Sequence, residues 1–279
     1  MKIMMITGAG ISTGSGLSTY RGADGRYTQI EEEVGMPVEQ LLSPATLKTA
    51  PELVWKYWLQ ASLAMKAAQP SATHRAIKAL ADTCDRFLEV TQNVDGLSLK
   101  AGMHPEQLIE LHGTYRRHYC TECKSDHGLC LATDLHLPPK CYRCRMPEGA
   151  LVRPNVVMFG ENINEDHYDR ALAEAATTDL LLITGTSLQF GYLIAFISKA
   201  LVHVRHVVYL DPQVDREHLL LHTINPALDA FNAIHFVKAK AEDVLPQLAE
   251  KVKEGESVNA VVRWLKITAM EAEAAATSM

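Results

Sequence analysis

The feature that most constrains the fold of this chain is a regular alternation of short apolar segments with helical ones. Five apolar, β-branched runs each end in a polar or glycine turn: KIMMITGAG, RFLEVTQ, LIELHG, DLLLITGTS and RHVVYLD. Segments with helical spacing of apolar residues, such as EDHYDRALAEAATT, lie between them. Because strands and helices in this order build a parallel sheet covered on both faces, the sequence predicts a doubly wound α/β fold.

The composition limits the classes of protein to which this chain can belong. It has 279 residues, 47% of them apolar, which is enough for a large domain with a smaller partner. The net charge of −6 argues against a protein that coats nucleic acid, and no apolar run reaches the roughly 18 residues of a membrane helix. We therefore expect no direct nucleic-acid or membrane partner. The opening MKIMMITGAG is interpreted as a first strand, and six cysteines without a secretion signal favour a reduced cytoplasm.

Four cysteines in residues 116–149 have the spacing of a metal site. They form two C-x2-C pairs separated by 17 residues, in a segment that lacks long apolar runs and interrupts the strand–helix pattern. Thiolates on two such knuckles can complete a tetrahedral zinc site with no open position, so the zinc would be structural. Two disulfides or four unrelated thiols are the alternatives. The predicted ligands are Cys120, Cys123, Cys141 and Cys144.

Polar residues collect at the predicted carboxyl ends of the strands. Gln92, Asn93 and Asp95 follow one strand, more hydrogen-bonding side chains than a turn needs, and His112 ends the next. Ligands of open α/β sheets bind at this edge, and a histidine there can act as a base near neutral pH, although a lone histidine can also be structural. The turns TGAGIS and GTSLQF would offer backbone amides to a phosphate, or form ordinary strand–helix turns.

The ordered set of these motifs resembles one family. GAGIS, TQNVDGL, ELHG, the paired cysteines, VVMFGE and GTSL occur in the order seen in bacterial-type sirtuins, the NAD-dependent protein deacylases, over about residues 3–250. The peptide-binding and adenosine parts contain departures from the family pattern. Phe190 and Tyr192 stand where Val and Pro are common near the peptide, and Tyr209 stands where an Asn often contacts the adenosine ribose.

The resemblance implies a Rossmann-like domain with a smaller inserted domain made of a zinc ribbon and a helical module, with NAD in the cleft between them. The implied NAD-binding domain comprises residues 1–27, 71–115 and 150–256. The helical module would comprise residues 28–70, the ribbon residues 116–149, and a C-terminal helix or tail residues 257–279.

The resemblance also assigns roles to residues. His112 and Asn93 would be catalytic, with His112 as general base. The implied NAD-binding residues are Gly8, Ala9, Gly10, Ser12, Tyr20, Arg21, Gln92, Asn93, Asp95, Gly185, Thr186, Ser187, Asp211 and Ala241. The implied substrate-binding residues are Val157, Phe159, Gly160, Glu161 and Phe190.

The implied activity is removal of an acyl group from a lysine of a protein or peptide, with NAD as co-substrate and zinc as a structural ion. Trp58 and Ala61 occupy the positions at which members preferring acidic acyl groups carry Tyr and Arg, so we expect a neutral acyl group. These two residues could instead only pack the helix. The competing functions are mono-ADP-ribosyl transfer or NAD hydrolysis at the same site, and a zinc-ribbon binding module with a degenerate NAD fold. A monomer is favoured.

Overall fold

The computed structural model describes residues 1–19, 26–129, 137–145, 149–188, 191–204, 206–212 and 234–277. Its strands are β1 (Lys2–Thr7), β2 (Arg86–Thr91), β3 (Leu108–Glu110), β4 (Gly113–Cys120), β5 (Asp126–Gly128), β6 (Val152–Val156), β7 (Leu180–Thr184), β8 (His206–Leu210) and β9 (Ile234–Val237). Its helices are α1 (Arg26–Val34), α2 (Val38–Leu41), α3 (Pro44–Thr49), α4 (Pro51–Ala67), α5 (Ala72–Thr83), α6 (Leu97–Lys100), α7 (Glu165–Ala175), α8 (Gly191–Ala200), α9 (Ala241–Lys253) and α10 (Val258–Thr277). Short 3₁₀ helices span Ala9–Ser15 and Pro105–Gln107.

The larger sheet is parallel, with strand order β3-β2-β1-β7-β8-β9. The chain moves outward from β1 through β2 to β3 and later outward from β7 to β9. The order therefore reverses between β1 and β7, and the loops at their carboxyl ends diverge there. In open parallel sheets this switch point is where a crevice forms and ligands bind.

Both faces of this sheet are covered, which confirms the predicted doubly wound fold. Side chains alternate along β1: Ile3 and Met5 pack into one buried cluster with α5, α9 and α10, whereas Met4 and Ile6 pack into the other with α7 and α8. Since all four are almost fully buried, the strand reads as a continuous apolar run rather than an alternating one.

A second, antiparallel sheet has the order β5-β4-β6 and carries the paired cysteines at one end. Helix α4 packs against it, and the buried Trp55 donates its indole N–H to the Val152 carbonyl oxygen at 3.0 Å. The zinc-ribbon segment and the helical segment thus share one apolar cluster. The division of the chain into domains at the residues given above stays a prediction.

Local structure departs from the sequence predictions in two places. The predicted loop at residues 11–27 contains most of the 3₁₀ helix Ala9–Ser15 and the first residues of α1. The predicted helical stretch from Ser43 forms two helices, α3 and α4. Ala50 has a non-helical φ of −142°, which ends α3 before Pro51 begins α4. Among the described helices, none combines the length and apolar character that crossing a membrane requires.

Candidate active site and metal centre

Two glycine turns hold the ends of β1 and β7 in contact. The Gly10 amide donates to the Gly185 carbonyl oxygen at 2.8 Å. A Cβ on Gly10 would lie 2.7 Å from the Gly185 Cα, and one on Gly185 would lie 2.7 Å from the Ile11 nitrogen. Gly185 also has φ +65°, a conformation that other residues rarely adopt. These glycines are therefore required for the two turns to pack together at the switch point.

The polar residues after β2 fix the geometry of the crevice. Gln92 donates from Nε2 to Thr186 Oγ1 at 2.8 Å and to the Thr7 carbonyl at 3.2 Å. Asn93 donates from Nδ2 to the Gly8 carbonyl at 3.0 Å and to Ser12 Oγ at 3.1 Å. Each side-chain amide has two N–H groups, and the protein uses both. Gln92 and Asn93 thus offer a ligand their carbonyl oxygens, which accept hydrogen bonds from hydroxyl or amide groups.

Ser12 and Asp95 lie behind Asn93 rather than on the cavity wall. Ser12 donates from Oγ to Asp95 Oδ2 at 2.7 Å, and the Leu97 amide donates to Asp95 Oδ1 at 2.9 Å. Both side chains are buried. In this arrangement Asp95 orients Ser12, which orients Asn93, and a direct contact of either residue with NAD stays a prediction.

His112 reaches into the crevice with a defined orientation. Its Nδ1 lies 2.8 Å from the Gln92 carbonyl oxygen, which can only accept, so Nδ1 carries the proton and Nε2 bears the lone pair. Nε2 is hydrogen-bonded to the Tyr192 hydroxyl. Burial lowers the pKa of His112 below its usual value, partly opposed by the bond to Gln92. The imidazole is therefore neutral at pH 7 and can act as a base.

A single cavity of about 1520 Å³ joins most of the predicted residues. It extends from the glycine turns past His112 to the segment after β6. The predicted residues on its wall are Gly8, Ala9, Gly10, Gln92, Asn93, His112, Gly185, Thr186, Ser187, Asp211, Ala241, Val157, Phe159, Gly160 and Glu161. Tyr20, Arg21 and Phe190 were also predicted and lie outside the described residues.

The segment after β6 forms the wall on which a peptide is predicted to bind. The Val157 amide donates to the His112 carbonyl at 2.9 Å, and the Phe159 amide donates to the Leu42 carbonyl at 3.0 Å. Glu161 accepts two hydrogen bonds from Arg153, at 2.6 and 2.8 Å, and one from the Met158 amide. A bidentate charged pair of this kind fixes geometry strongly. Glu161 therefore holds the segment in shape.

Part of the cavity that His112 lines is apolar and is called the apolar branch here. Its walls include Val54 and Trp58 of α4 and Met158, all buried. The Trp58 indole donates from Nε1 to His118 Nε2 at 3.0 Å, while His118 Nδ1 lies 2.8 Å from the Gly128 carbonyl. Of the described residues on the cavity wall, the only Lys or Arg is Lys240, which follows β9 at the far edge of the sheet. The branch is thus suited to a neutral group.

A fully buried acid, Glu89 of β2, lies beneath this site. Thr7 donates from Oγ1 to Glu89 Oε1 at 2.8 Å, but burial dominates and raises the pKa of Glu89 to about 7. Because folding raises this pKa, the contribution of Glu89 to stability is fully present below pH 4.5 and is lost as the pH rises through about 7. We therefore compare the unfolding free energy of Glu89→Gln with that of the wild type at two pH values. From pH 5.5 to pH 8, the difference should shift in favour of the variant by roughly 2 kcal/mol.

Urea denaturation at the two pH values measures this effect. Glu32→Gln, which changes an exposed glutamate of α1, is the matched control and should show no such difference. An equal stability difference between Glu89→Gln and wild type at pH 5.5 and pH 8 would show that Glu89 ionises normally in the folded protein.

The four paired cysteines converge as a metal centre. Their sulfur atoms all lie within 4.8 Å of one another, and the Cys120 and Cys144 sulfurs are 3.2 Å apart, well beyond the roughly 2.05 Å of a disulfide. His127 Nε2 and Ser125 Oγ lie 3.1 Å from the sulfurs of Cys141 and Cys123, where they can donate to thiolates. Four thiols in this geometry fit one structural zinc and leave no open coordination position.

Sequence reasoning did not assign Tyr192 to the site. The tyrosine lies 80 residues from His112 in sequence and was noted only as a departure near the peptide segment. One signal was available. Tyr192 lies at the start of the helix that follows β7, two positions after the predicted site residue Phe190. That position alone does not show which side chain it contacts.

A family model and several known proteins match the sequence of this chain. The Sir2 family model matches residues 8–191. The NAD-dependent protein deacylase 2 of Pseudomonas aeruginosa is 40% identical over 196 residues, which cover 69% of this chain and 74% of that protein. The NAD-dependent protein deacylase of Leptospira interrogans is 30% identical over 259 residues, 92% of this chain and 95% of that protein.

Solved structures show the same architecture. A Sir2 homologue variant in complex with ADP-ribose superposes with a TM-score of 0.76 at 28% identity, covering 91% of this chain and 92% of that one. A Sir2 homologue–NAD complex gives a TM-score of 0.74 at 28% identity, covering 92% and 91%. The similarity predicted from ordered motifs is therefore confirmed over nearly the whole chain.

Proposed function

The chain belongs to the Sir2 family, and from that premise we propose that it is an NAD-dependent protein lysine deacylase. The products would be nicotinamide, the O-acyl-ADP-ribose and free lysine. NAD is consumed as a substrate in this reaction, so the protein's task is to orient it beside the acyl-lysine and to exclude water.

The observation that carries the proposal is the position of His112. It follows the edge strand β3 and lines one cavity together with Gln92 and Asn93, whose side-chain carbonyl oxygens can accept from a ligand, and with the apolar branch that includes Trp58. A cofactor held by Gln92 and Asn93 and an acyl chain in the apolar branch would share one cavity with this imidazole. A zinc-ribbon binding module with a degenerate NAD fold would need none of these groups.

Each residue has a separate task in the proposed reaction. Asn93 Oδ1 accepts from the nicotinamide carboxamide, and Gln92 Oε1 accepts from a ribose hydroxyl. The acyl oxygen attacks C1′ of the ribose as nicotinamide leaves, and His112 takes a proton from the ribose hydroxyl that then attacks the acyl carbon. General base assistance of this kind contributes typically about 10²–10⁴-fold. A closed cavity matters because water at C1′ would only hydrolyse NAD.

The proposal is tested by mass spectrometry of the products formed from NAD and acyl-lysine peptides. Deacylase activity gives free lysine peptide and O-acyl-ADP-ribose in equal amounts. Transfer of ADP-ribose to the peptide without loss of the acyl group would favour the alternative, a mono-ADP-ribosyltransferase. Free ADP-ribose formed without any peptide would favour an NAD hydrolase.

The apolar branch leads to a prediction about the acyl group. We expect acetyl or longer neutral acyl groups to be removed more than roughly tenfold faster, in kcat/KM, than succinyl, because the described part of the cavity wall offers no Lys or Arg near Trp58 to a buried carboxylate. The measurement compares one peptide bearing each acyl group. Ala61→Arg, which adds a cation next to this helix face, should narrow the difference. Equal use of succinyl by the wild type would contradict the prediction.

The remaining assignments also stay predictions. The roles of the individual site residues rest on family resemblance and, for those on its wall, on the shared cavity. An acyl-lysine protein as partner is supported by the deacylase names of the relatives. A cytoplasmic location is supported by unpaired cysteines arranged for a metal. The monomeric state and the lack of nucleic-acid binding have no further support.

A further inference from the structure

We propose that Tyr192 is a further catalytic residue, which relays the proton of the attacking ribose hydroxyl to His112. This inference rests on the proposed deacylase function. It starts from the hydrogen bond between the Tyr192 hydroxyl and His112 Nε2. Tyr192 was not among the site residues predicted from the sequence.

The direction of that hydrogen bond follows from the partners of the imidazole. Nδ1 lies 2.8 Å from the Gln92 carbonyl oxygen and must therefore be the protonated nitrogen. Nε2 then has only a lone pair to offer, so the Tyr192 O–H donates to it. Burial raises the pKa of Tyr192 and lowers that of His112, so at pH 7 the tyrosine keeps its proton and the imidazole remains neutral.

The position of Tyr192 is fixed by packing. It is the second residue of α8, and its ring packs on the apolar cluster that also contains Leu193 and Phe196. The ring meets the His112 ring edge-on, with centroids 5.8 Å apart and an interplanar angle of 84°. The same residue also lines the large cavity. The apolar body is thus anchored, and the hydroxyl is bonded to the base within a residue that also lines the cavity.

This placement leaves two ways for a ribose hydroxyl to reach the base. It can displace the tyrosine from Nε2, which breaks a partly buried hydrogen bond and moves a packed ring. Alternatively, it can hydrogen-bond to the Tyr192 oxygen, because a phenol oxygen can accept a hydrogen bond while its own proton is donated to Nε2. The second route keeps the hydrogen bond between Tyr192 and His112 in place.

The relay moves one proton in total, through two linked hydrogen bonds: from the ribose hydroxyl to Tyr192 and from Tyr192 to His112. The ribose O–H breaks and its proton moves to Tyr192 Oη, while the Tyr192 proton moves to His112 Nε2. The freed ribose oxygen forms a bond to the acyl carbon of the imidate, whose C=N electron pair moves to the lysine nitrogen. Tyr192 ends neutral and His112 ends protonated, ready to return the proton to the departing lysine amine.

Tyr192→Phe tests the relay, since it keeps the ring and removes only the hydroxyl. We expect O-acyl-ADP-ribose formation to fall by roughly tenfold or more, whereas exchange of labelled nicotinamide into NAD, which needs no base at the ribose, should stay within about a factor of two. Tyr142→Phe, which removes the hydroxyl of an exposed tyrosine that is not on the cavity wall, is the control and should change neither rate. Unchanged or faster product formation by Tyr192→Phe would overturn the relay. It would show that Tyr192 only occupies His112 Nε2 and is displaced by the substrate.

Two further measurements separate a failed relay from a failed function. If the residues act as one chain, adding Tyr192→Phe to His112→Ala should cause no additional loss, and a full multiplicative loss would contradict the relay. The ¹⁵N resonances of the His112 imidazole report the bond without any activity: Tyr192→Phe should shift Nε2 and not the protonated Nδ1. An unmoved Nε2 signal would refute the inference, whereas a wild type that forms no acyl-ADP-ribose would refute the proposed function.

Discussion

His112→Ala is expected to reduce formation of O-acyl-ADP-ribose by roughly 10²–10⁴-fold while NAD continues to bind. The loss should be confined to the step after nicotinamide departs, because His112 contacts the Gln92 backbone and Tyr192 rather than the Asn93 amide that is predicted to face the carboxamide. Steady-state kinetics with one acyl peptide, together with calorimetric NAD titration, measures both parts of this prediction.

The pH dependence adds an independent check of the base. Because burial lowers the pKa of His112, the decline of kcat/KM on acidification should begin at a lower pH than it would with an unperturbed histidine as the base. The decline should disappear in the residual activity of His112→Ala. His167→Ala, which removes an exposed histidine of α7, is the control and should retain the wild-type profile. Deacylation by His112→Ala within a factor of about two of wild type would remove the residue from its role.

The sequence predicted the elements of this fold that depend on local signals. Ser71 illustrates this: a serine before an amphipathic segment is a common helix start, and its hydroxyl does accept from the His74 amide at the start of α5. The strands were also predictable, because β1 and its neighbours are short apolar runs ending in glycine or polar turns. Polar strand ends then collect at one edge simply because the strands are parallel.

Features that depend on distant contacts could not be predicted in the same way. The 3₁₀ helix Ala9–Ser15 has no apolar periodicity, and its turn is shaped by contact of Gly10 with Gly185 in another part of the chain. The bond between His112 and Tyr192 depends on where α8 begins relative to the edge of the sheet. Nothing in the spacing of those residues fixes that distance. The family resemblance supplied the other site residues because it encodes such contacts indirectly.

Cys141→Ser is expected to lower bound zinc from one ion per chain to none and to destabilise the ribbon. Cys141 is only 2% exposed, and its sulfur completes the cluster with Cys120, Cys123 and Cys144. Removing one thiolate leaves three that repel one another at short range without a metal to bind them. Since metal binding and folding are coupled in such modules, the free energy of unfolding should fall by several kcal/mol, on the order of a third or more of a typical domain's stability.

The effect should reach the active site through the small sheet. Cys120 ends β4, which pairs with β6, and β6 continues into the Val157–Glu161 wall beside His112. Deacylation should therefore decline although no catalytic group is changed. Metal analysis and urea denaturation test this, with Cys84→Ser as the control, because Cys84 is a thiol outside the cluster that packs on the core of the larger sheet. The control should retain one zinc ion, whereas a Cys141→Ser protein that lacks zinc yet unfolds like the wild type would contradict the structural role of the metal.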